Sequence, residues 1–247
     1  MGYTLECCVD SVESAIAAKK GGADRIELCS ALVIGGLSPS QALYQKIREQ
    51  VDIPIRVLLR PRFGDFCYTD FEHEILKEEI RSFRKLGADG IVIGTMKPDG
   101  TLNLEQMKEL MEEAQGMPVT LHRAFDMCQD PFVTLEEAKK LGISTILTSG
   151  QKNTCVDGVE LLKELVEKAQ GETEILIGGG VDASVLPMLA EKTKAKAYHM
   201  SGKISMESEM RYRKQDVSMG VASVSEYEIW RTSEKRVREA RKVLEQL

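Results

Sequence analysis

No stretch of this sequence approaches the roughly 18 consecutive apolar residues that a bilayer-crossing helix needs, so membrane insertion is unsupported. The segment Met1 to Cys8 lacks a basic start, an apolar run and a small-residue cleavage site, so no secretory signal is read and the expected location is the cytoplasm. Concentrated positive charge is missing too. The net charge of −6 is spread along the chain rather than gathered in a stripe or tail, which argues against nucleic acid or an anionic membrane as the main partner. Aromatic residues make up only 5% and tryptophan occurs once, but 43% hydrophobic and 29% charged residues is the composition of an ordinary globular protein. The six cysteines contain no C-x-x-C pair, and in a cytoplasmic chain of this size they are expected to be thiols rather than a disulfide framework. These absences leave a metal ion or a small molecule as the partner.

What the sequence does contain is a rhythm. Short apolar runs alternate with amphipathic helical stretches from end to end, the pattern of a parallel sheet with helical crossovers. Eight strands are predicted: Tyr3 to Val9, Arg25 to Cys29, Ile55 to Arg60, Gly90 to Gly94, Val119 to His122, Thr145 to Thr148, Ile175 to Gly178 and Ala197 to Met200. Helix starts are signalled by Ser11, by Ser38 with Pro39 at a first helical position, and by Asp130 with Pro131. Glycines at 21, 87, 142 and 171 mark helix ends. A faint repeat, Gly22-Ala23-Asp24, Gly87-Ala88-Asp89 and Gly142-Ile143-Ser144, recurs at the same helix-to-strand junction. With 247 residues, close to the roughly 250 typical of the fold, the chain reads as a single-domain (β/α)8 TIM-type barrel, with an open doubly wound sheet as the alternative. One segment, Ser201 to Arg231 before the last helix, has no clean period and reads as a long irregular excursion.

Alternation along a strand sorts the polar residues between the helix-facing and axis-facing sides. Glu6, Cys8 and Asp10 share the axial face of the first strand, and Arg25, Glu27 and Cys29 that of the second. Arg56, Arg60 and Arg62 share a face on the third, Thr120 and His122 on the fifth, His199 and Ser201 on the eighth. Those nearest the carboxyl ends converge on the rim where barrel active sites are built. Buried carboxylates need partners, so Glu6 and Glu27 are expected to pair with Arg60 or Arg62. Arg60 and Arg62 read as an anion clamp. Catalytic candidates are Glu27, Arg60, His122, Asp126 and His199. Bare amides in Gly178-Gly179-Gly180 and in Ser201-Gly202, with the hydroxyl of Ser149 beside Gly150, would receive an anion after strands six to eight. Cys8 and Cys29, on adjacent strands at similar heights, suit a soft ion such as Cu(I) or Zn(II), although buried cysteine also serves as a small hydrophobe.

Several ordered blocks are familiar: Glu6-Cys7-Cys8-Val9-Asp10-Ser11, Gly22-Ala23-Asp24-Arg25-Ile26-Glu27-Leu28-Cys29, Gly35-Gly36-Leu37-Ser38-Pro39-Ser40, Arg60-Pro61-Arg62-Phe63-Gly64-Asp65-Phe66, His122-Arg123-Ala124-Phe125-Asp126, Leu147-Thr148-Ser149-Gly150 and Gly178-Gly179-Gly180. In these the chain resembles the CutC-type proteins historically linked to copper homeostasis. The resemblance implies a barrel, a cytoplasmic home, homo-oligomers and copper(I) binding, with Cys8 and Cys29 in the positions of the family's suggested copper ligands. Against it stands the polar rim, which suits an enzyme acting on a small anionic metabolite, phosphorylated or not. Ala31-Leu32-Val33-Ile34 is more apolar than the family pattern and reads as a loop tip packed against another subunit.

Overall fold

The computed structural model describes residues 2–217, 219, 221 and 224–247. Eight parallel strands close into a barrel in chain order, with the eighth pairing back onto the first. They are β1 (Thr4–Val9), β2 (Arg25–Leu28), β3 (Ile55–Leu58), β4 (Gly90–Ile93), β5 (Val119–Leu121), β6 (Thr145–Thr148), β7 (Glu174–Ile177) and β8 (Ala197–Met200). The helices α1 (Val12–Gly21), α2 (Gln41–Arg48), α3 (Asp70–Lys85), α4 (Leu104–Ala114), α5 (Pro131–Leu141), α6 (Val159–Ala169), α7 (Leu186–Thr193) and α8 (Glu234–Glu245) follow the strands. The barrel, rather than the open sheet, is therefore the architecture.

Closure follows from where the apolar side chains fall. Leu5, Cys7 and Val9, then Ile26 and Leu28, Ile55 and Val57, and their counterparts on later strands all point outward into one continuous core shared with the helices. The alternate residues point inward, where two small apolar patches stand apart: Cys29, Leu58 and Val92, with Leu32 against them, and Leu147, Leu176 and Ala197. Between these patches the axis is occupied by charge.

The weak repeat has a structural cause. Gly22, Gly87 and Gly142 take the left-handed backbone that ends a helix, with φ of 92°, 78° and 76°. Two residues on, the carboxylate of Asp24 accepts the Leu5 amide at 2.6 Å and that of Asp89 accepts the Ile55 amide at 2.8 Å. Ser144 does the equivalent by donating to the Val119 carbonyl at 2.8 Å. Each junction thus ties the start of an incoming strand to the start of the strand before it. Asp24 also pairs with Arg241 of α8, closing the N-terminal face of the barrel. Asp24→Ala leaves the part-buried Leu5 amide without its side-chain partner, and urea unfolding is expected to show a loss of about 1–3 kcal/mol.

Two sequence expectations need correction. Helix α2 starts at Gln41 with Ser40 as its cap, not at Pro39 after Ser38, because Ser38 is already engaged. Its hydroxyl accepts the Arg60 amide at 2.9 Å and donates to Glu79 at 2.7 Å. The Ser201–Arg231 segment is not wholly irregular: β9 (Lys203–Glu207) and β10 (Glu228–Thr232) pair antiparallel as a ribbon, with Trp230 opposite Ser205. Short mixed-polarity strands exposed on both faces carry no clean period-2 signal, which hid the ribbon.

Candidate functional site

The carboxyl ends of the strands surround a pocket of about 280 Å³. Its polar wall is Cys8, Glu27, Arg60, His122, Arg123 and His199, and its apolar wall includes Leu32, Leu58, Phe66 and Leu147. Gly179, Gly180 and Ser201 complete the side beneath the seventh and eighth strands.

The floor is an ionic cluster set by register. Glu6 lies opposite Arg25 on one side and His199 on the other, so its carboxylate bridges two neighbouring strands. It accepts from Arg25 Nε at 2.5 Å and contacts His199 Nδ1 at 2.7 Å; Arg25 reaches on to Glu174 at 3.0 Å. Glu6 has no exposed surface. Burial alone would raise its pKa, but the His199 hydrogen bond and the Arg25 charge prevail and hold it down at about 2. His199 is the mirror case. Burial disfavours its charge, yet Cys8, Glu27 and Glu6 around it keep the imidazolium well above the usual histidine range.

Glu27 is in a different position. It sits opposite Cys8 in the register, accepts no hydrogen bond among the described residues, and its Oε2 is buried. Burial pushes its carboxyl up to about 7. His122, across the mouth at the end of β5, is held down to about 3 by burial and by the nearby Arg60 charge. Its ring edge lies against Gly94, where a Cβ would stand 2.7 Å from the imidazole, and Phe66 covers it at 4.8 Å between ring centroids. Nδ1 accepts the Ala124 amide at 3.1 Å, while Nε2 has no partner. An unpaired buried polar atom costs about 1–3 kcal/mol, so a wall with several of them is built for a ligand that supplies partners.

The expected pairing of Glu6 and Glu27 with Arg60 or Arg62 does not occur. Arg60 donates to the Gly64 carbonyl at 2.7 Å and lies 4.9 Å from the Phe66 ring, leaving its buried Nε without a partner among the described residues. Arg62 turns away to Glu72 at 2.6 Å and Asp65 at 2.9 Å, because β3 ends at Leu58 and strand alternation no longer governs the loop. Arg62 is therefore absent from the pocket wall, and Arg123 lines it instead. Arg123 escapes a strand-based reading because a 3-10 turn over Arg123–Met127 swings it back to the mouth. The only sequence signal for it is its place beside His122 in a conspicuous block.

Asp126 does not line the pocket. Its carboxylate pairs with Arg123 at 2.7 Å and accepts from Thr148 Oγ1 at 2.5 Å, from the Ser149 amide at 3.1 Å and from the Gln151 amide at 3.1 Å. It fastens the β6 loop to the turn after β5, and it takes up the Ser149 hydroxyl at 3.0 Å. Gly150 packs against Gly158 outside the pocket, where a Cβ would meet the Gly158 carbonyl oxygen at 2.3 Å. Gly179 and Gly180 do reach the wall, with φ of 88° and 89°; a Cβ on Gly179 would lie 2.8 Å from Ser149 Cβ. A Cβ on Gly178 would lie 2.7 Å from Leu147 Cδ1, so a larger residue there would need that side chain to shift. Gly202 faces Val237, and with Ser201, Lys203 and Arg236 it lines a shallower neighbouring hollow.

All six cysteines are free thiols. Cys8 is on the pocket wall, with its thiol directed at the Met200 carbonyl at 3.8 Å. Cys29 lies behind the wall, fully buried against Leu58 and Gly36, with its thiol directed at the Val9 carbonyl at 3.5 Å. Burial raises the Cys29 thiol well above its ordinary value. The apolar tip Leu32–Ile34 is a 3-10 turn that sends Leu32 into the pocket wall, leaving Val33 exposed. A second donor set, Glu6, Glu27 and His199, places ligand atoms within 4.8 Å of one another. Among the described residues no helix is long and apolar enough to cross a membrane.

Comparison with known proteins places this geometry. A sequence profile of the CutC family matches residues 3–204. The chain is 43% identical over 238 residues to the human copper homeostasis protein cutC homolog, covering 96% of this chain and 87% of that protein. It is 42% identical over 239 residues to a family protein CutC of Bacteroides fragilis, covering 96% and 95%. The crystal structure of a Streptococcus agalactiae protein named for copper homeostasis and CutC superposes with a TM-score of 0.76 at 30% identity, covering 81% of this chain and 98% of that one. The matched span runs from β1 to the start of β9 and so holds every residue of the pocket: this chain belongs to the CutC family.

Proposed function

We propose that this protein acts in copper homeostasis in the cytoplasm, as the names of its human and streptococcal relatives indicate for them, and that it takes Cu(I) as cargo at Cys8 and Cys29. The observation that carries the reading is a free thiol, Cys8, on the wall of the mouth pocket, with a second free thiol, Cys29, just past the end of the neighbouring strand. Sulfur donors suit a soft monovalent ion. The carboxylate-rich set of Glu6, Glu27 and His199 suits it less, because Arg25 already neutralises Glu6 and would repel a cation. Cys29 has no open path, so copper entering at Cys8 reaches it only when the Leu32 turn moves. Under strict reduction, titration against a Cu(I) chelator is expected to show Cys8→Ser weakening binding by more than about tenfold, 1.4 kcal/mol, and the Cys8→Ser, Cys29→Ser double variant weakening it further. Equal affinity in wild type and double variant removes the thiol site. Further copies of the chain are the proposed protein partner, with neither nucleic acid nor a membrane involved.

A second reading is favoured by a separate observation. Arg60 and Arg123 bring two guanidinium groups to the same pocket, and Glu27, His122 and Arg60 leave polar atoms there without partners. That arrangement fits an enzyme acting on a small anionic metabolite, with Gly179, Gly180 and Ser201 beside the anion and Glu27, His122 and His199 beside the reacting atoms.

A further inference from the structure

Three residues of the pocket wall, Glu27, His122 and Arg60, each keep a buried polar atom without a partner among the described residues, Oε2, Nε2 and Nε, and what each can donate or accept defines a ligand. His122 Nδ1 accepts the Ala124 amide, so its lone pair is committed and the proton of the neutral ring resides on Nε2. His122 therefore offers a donor. Arg60 Nε is a donor as well, and a Glu27 carboxylate is an acceptor only. The ligand has to present two acceptors and one hydrogen. A bare cation does not satisfy this set, since an N–H of His122 and a guanidinium would both repel it.

Position adds the next constraint. Glu27 comes from β2 and His122 from the end of β5, so they approach the pocket from different sectors of the rim. Leu32, Leu58, Phe66 and Leu147 line the space between, which suits carbon rather than further charge. At about 280 Å³ the pocket is at the small end of ligand sites, room for a compound of a few carbons.

From this geometry we infer that the pocket binds a small anionic carbonyl compound and catalyses proton exchange at the carbon beside its carbonyl group, with Glu27 as the base and His122 as the donor to the carbonyl oxygen. The inference rests on the anionic-metabolite reading and assigns that site a reaction. The Glu27 carboxylate takes the proton from the carbon. The C–H electron pair becomes the new C=C bond, and the carbonyl π pair moves onto oxygen. A neutral imidazole N–H supports that developing oxyanion without giving up its proton, and Arg60 and Arg123 hold the acidic group of the ligand. The reverse step returns a proton from Glu27 to carbon, so neither an oxidant nor a second reactant is required.

Deuterium exchange tests it. The full chain is incubated in D2O with dihydroxyacetone phosphate and, separately, with pyruvate, and proton NMR follows loss of the C–H signal next to the carbonyl; saturation transfer reports binding of each probe. The expected result is exchange of at least one bound probe about a hundredfold or more above buffer, abolished by Glu27→Gln while the probe still binds. Should Glu27→Gln fail to fold by circular dichroism, Glu27→Asp decides: it keeps the charge but shortens the reach, and exchange must slow at least about tenfold. A probe that binds without accelerated exchange, or exchange that survives loss of Glu27, overturns the inference and leaves the anionic-metabolite reading standing. Failure of both probes to bind overturns the two together.

Discussion

Glu6→Gln is expected to destabilise the protein by about 3–5 kcal/mol, the largest single-site effect in the barrel interior. The glutamine keeps the shape but removes the charge that Arg25 and His199 both face at the floor of the pocket. Arg25 then keeps only Glu174, which is partly exposed, and the His199 imidazolium loses its closest counter-charge. His199 stays buried and Arg25 mostly so, and water compensates them only in part. The same carboxylate sets an acid limit. Its pKa falls from an ordinary 4.5 to about 2 on folding, so its contribution is complete above pH 4.5 and disappears as pH drops towards 2. Urea unfolding of wild type and variant at pH 7 and pH 3 checks both statements: the gap between the curves should be wide at pH 7 and narrow at pH 3. A variant as stable as wild type at pH 7 would mean that the cluster contributes nothing to folding.

The second large effect is a pair of opposed pH dependences across the pocket. His122 titrates near 6.5 when unfolded and about 3 when folded, so the native state excludes its proton and stability from this group rises with pH between 3 and 6.5. Glu27 titrates near 4.5 unfolded and about 7 folded, so the native state retains its proton and stability from this group falls between 4.5 and 7. Over the shared window, pH 4.5 to 6.5, the two slopes oppose each other. His199, raised on folding, contributes fully and evenly below 6.5 and does not tilt the balance. Removing one partner exposes the other. Relative to wild type, Glu27→Gln should gain about 2–3 kcal/mol of stability as pH rises through that window, and His122→Gln should lose a similar amount. Comparing each variant with wild type cancels the remaining acids. Chemical denaturation in half-unit steps reads the slopes directly, and parallel curves for all three proteins would show that neither side chain is as buried and unpaired as the pocket geometry places it.

Most of the site's membership was legible before any coordinates, and the reason is periodicity. Glu6, Cys8, Glu27, His122 and His199 fall on the axial face because residues on a strand alternate, and parallel strands put their carboxyl ends on one rim. The pairing of those groups was not legible. Glu6 meets Arg25 rather than Arg60 because register between strands decides which inward residues stand level, and local sequence does not encode register in a barrel buried on both faces. Beyond the strand ends alternation stops applying. That is why Arg62 turned out to serve Glu72 and Asp65, Arg123 replaced it at the mouth, and Asp126 proved to be a fastening for the β6 loop. The glycine run after β7 shows the same division: its left-handed turn can be read from residue type, but the contacts of Gly178 with Leu147 and of Gly179 with Ser149 cannot.

By itself, then, the sequence determined the number and order of the βα units, their junctions and the set of side chains offered to the axis, because all of these depend on near neighbours in the chain. Tertiary structure alone decided which charges neutralise one another, that Cys29 lies behind the wall on which Cys8 is displayed, and that Glu27 and His122 keep polar atoms unpaired. Those are properties of closure. Only when the eighth strand pairs with the first do residues far apart in the chain share one dry interior, and only there does an unmatched donor or acceptor acquire the cost that marks it for a ligand.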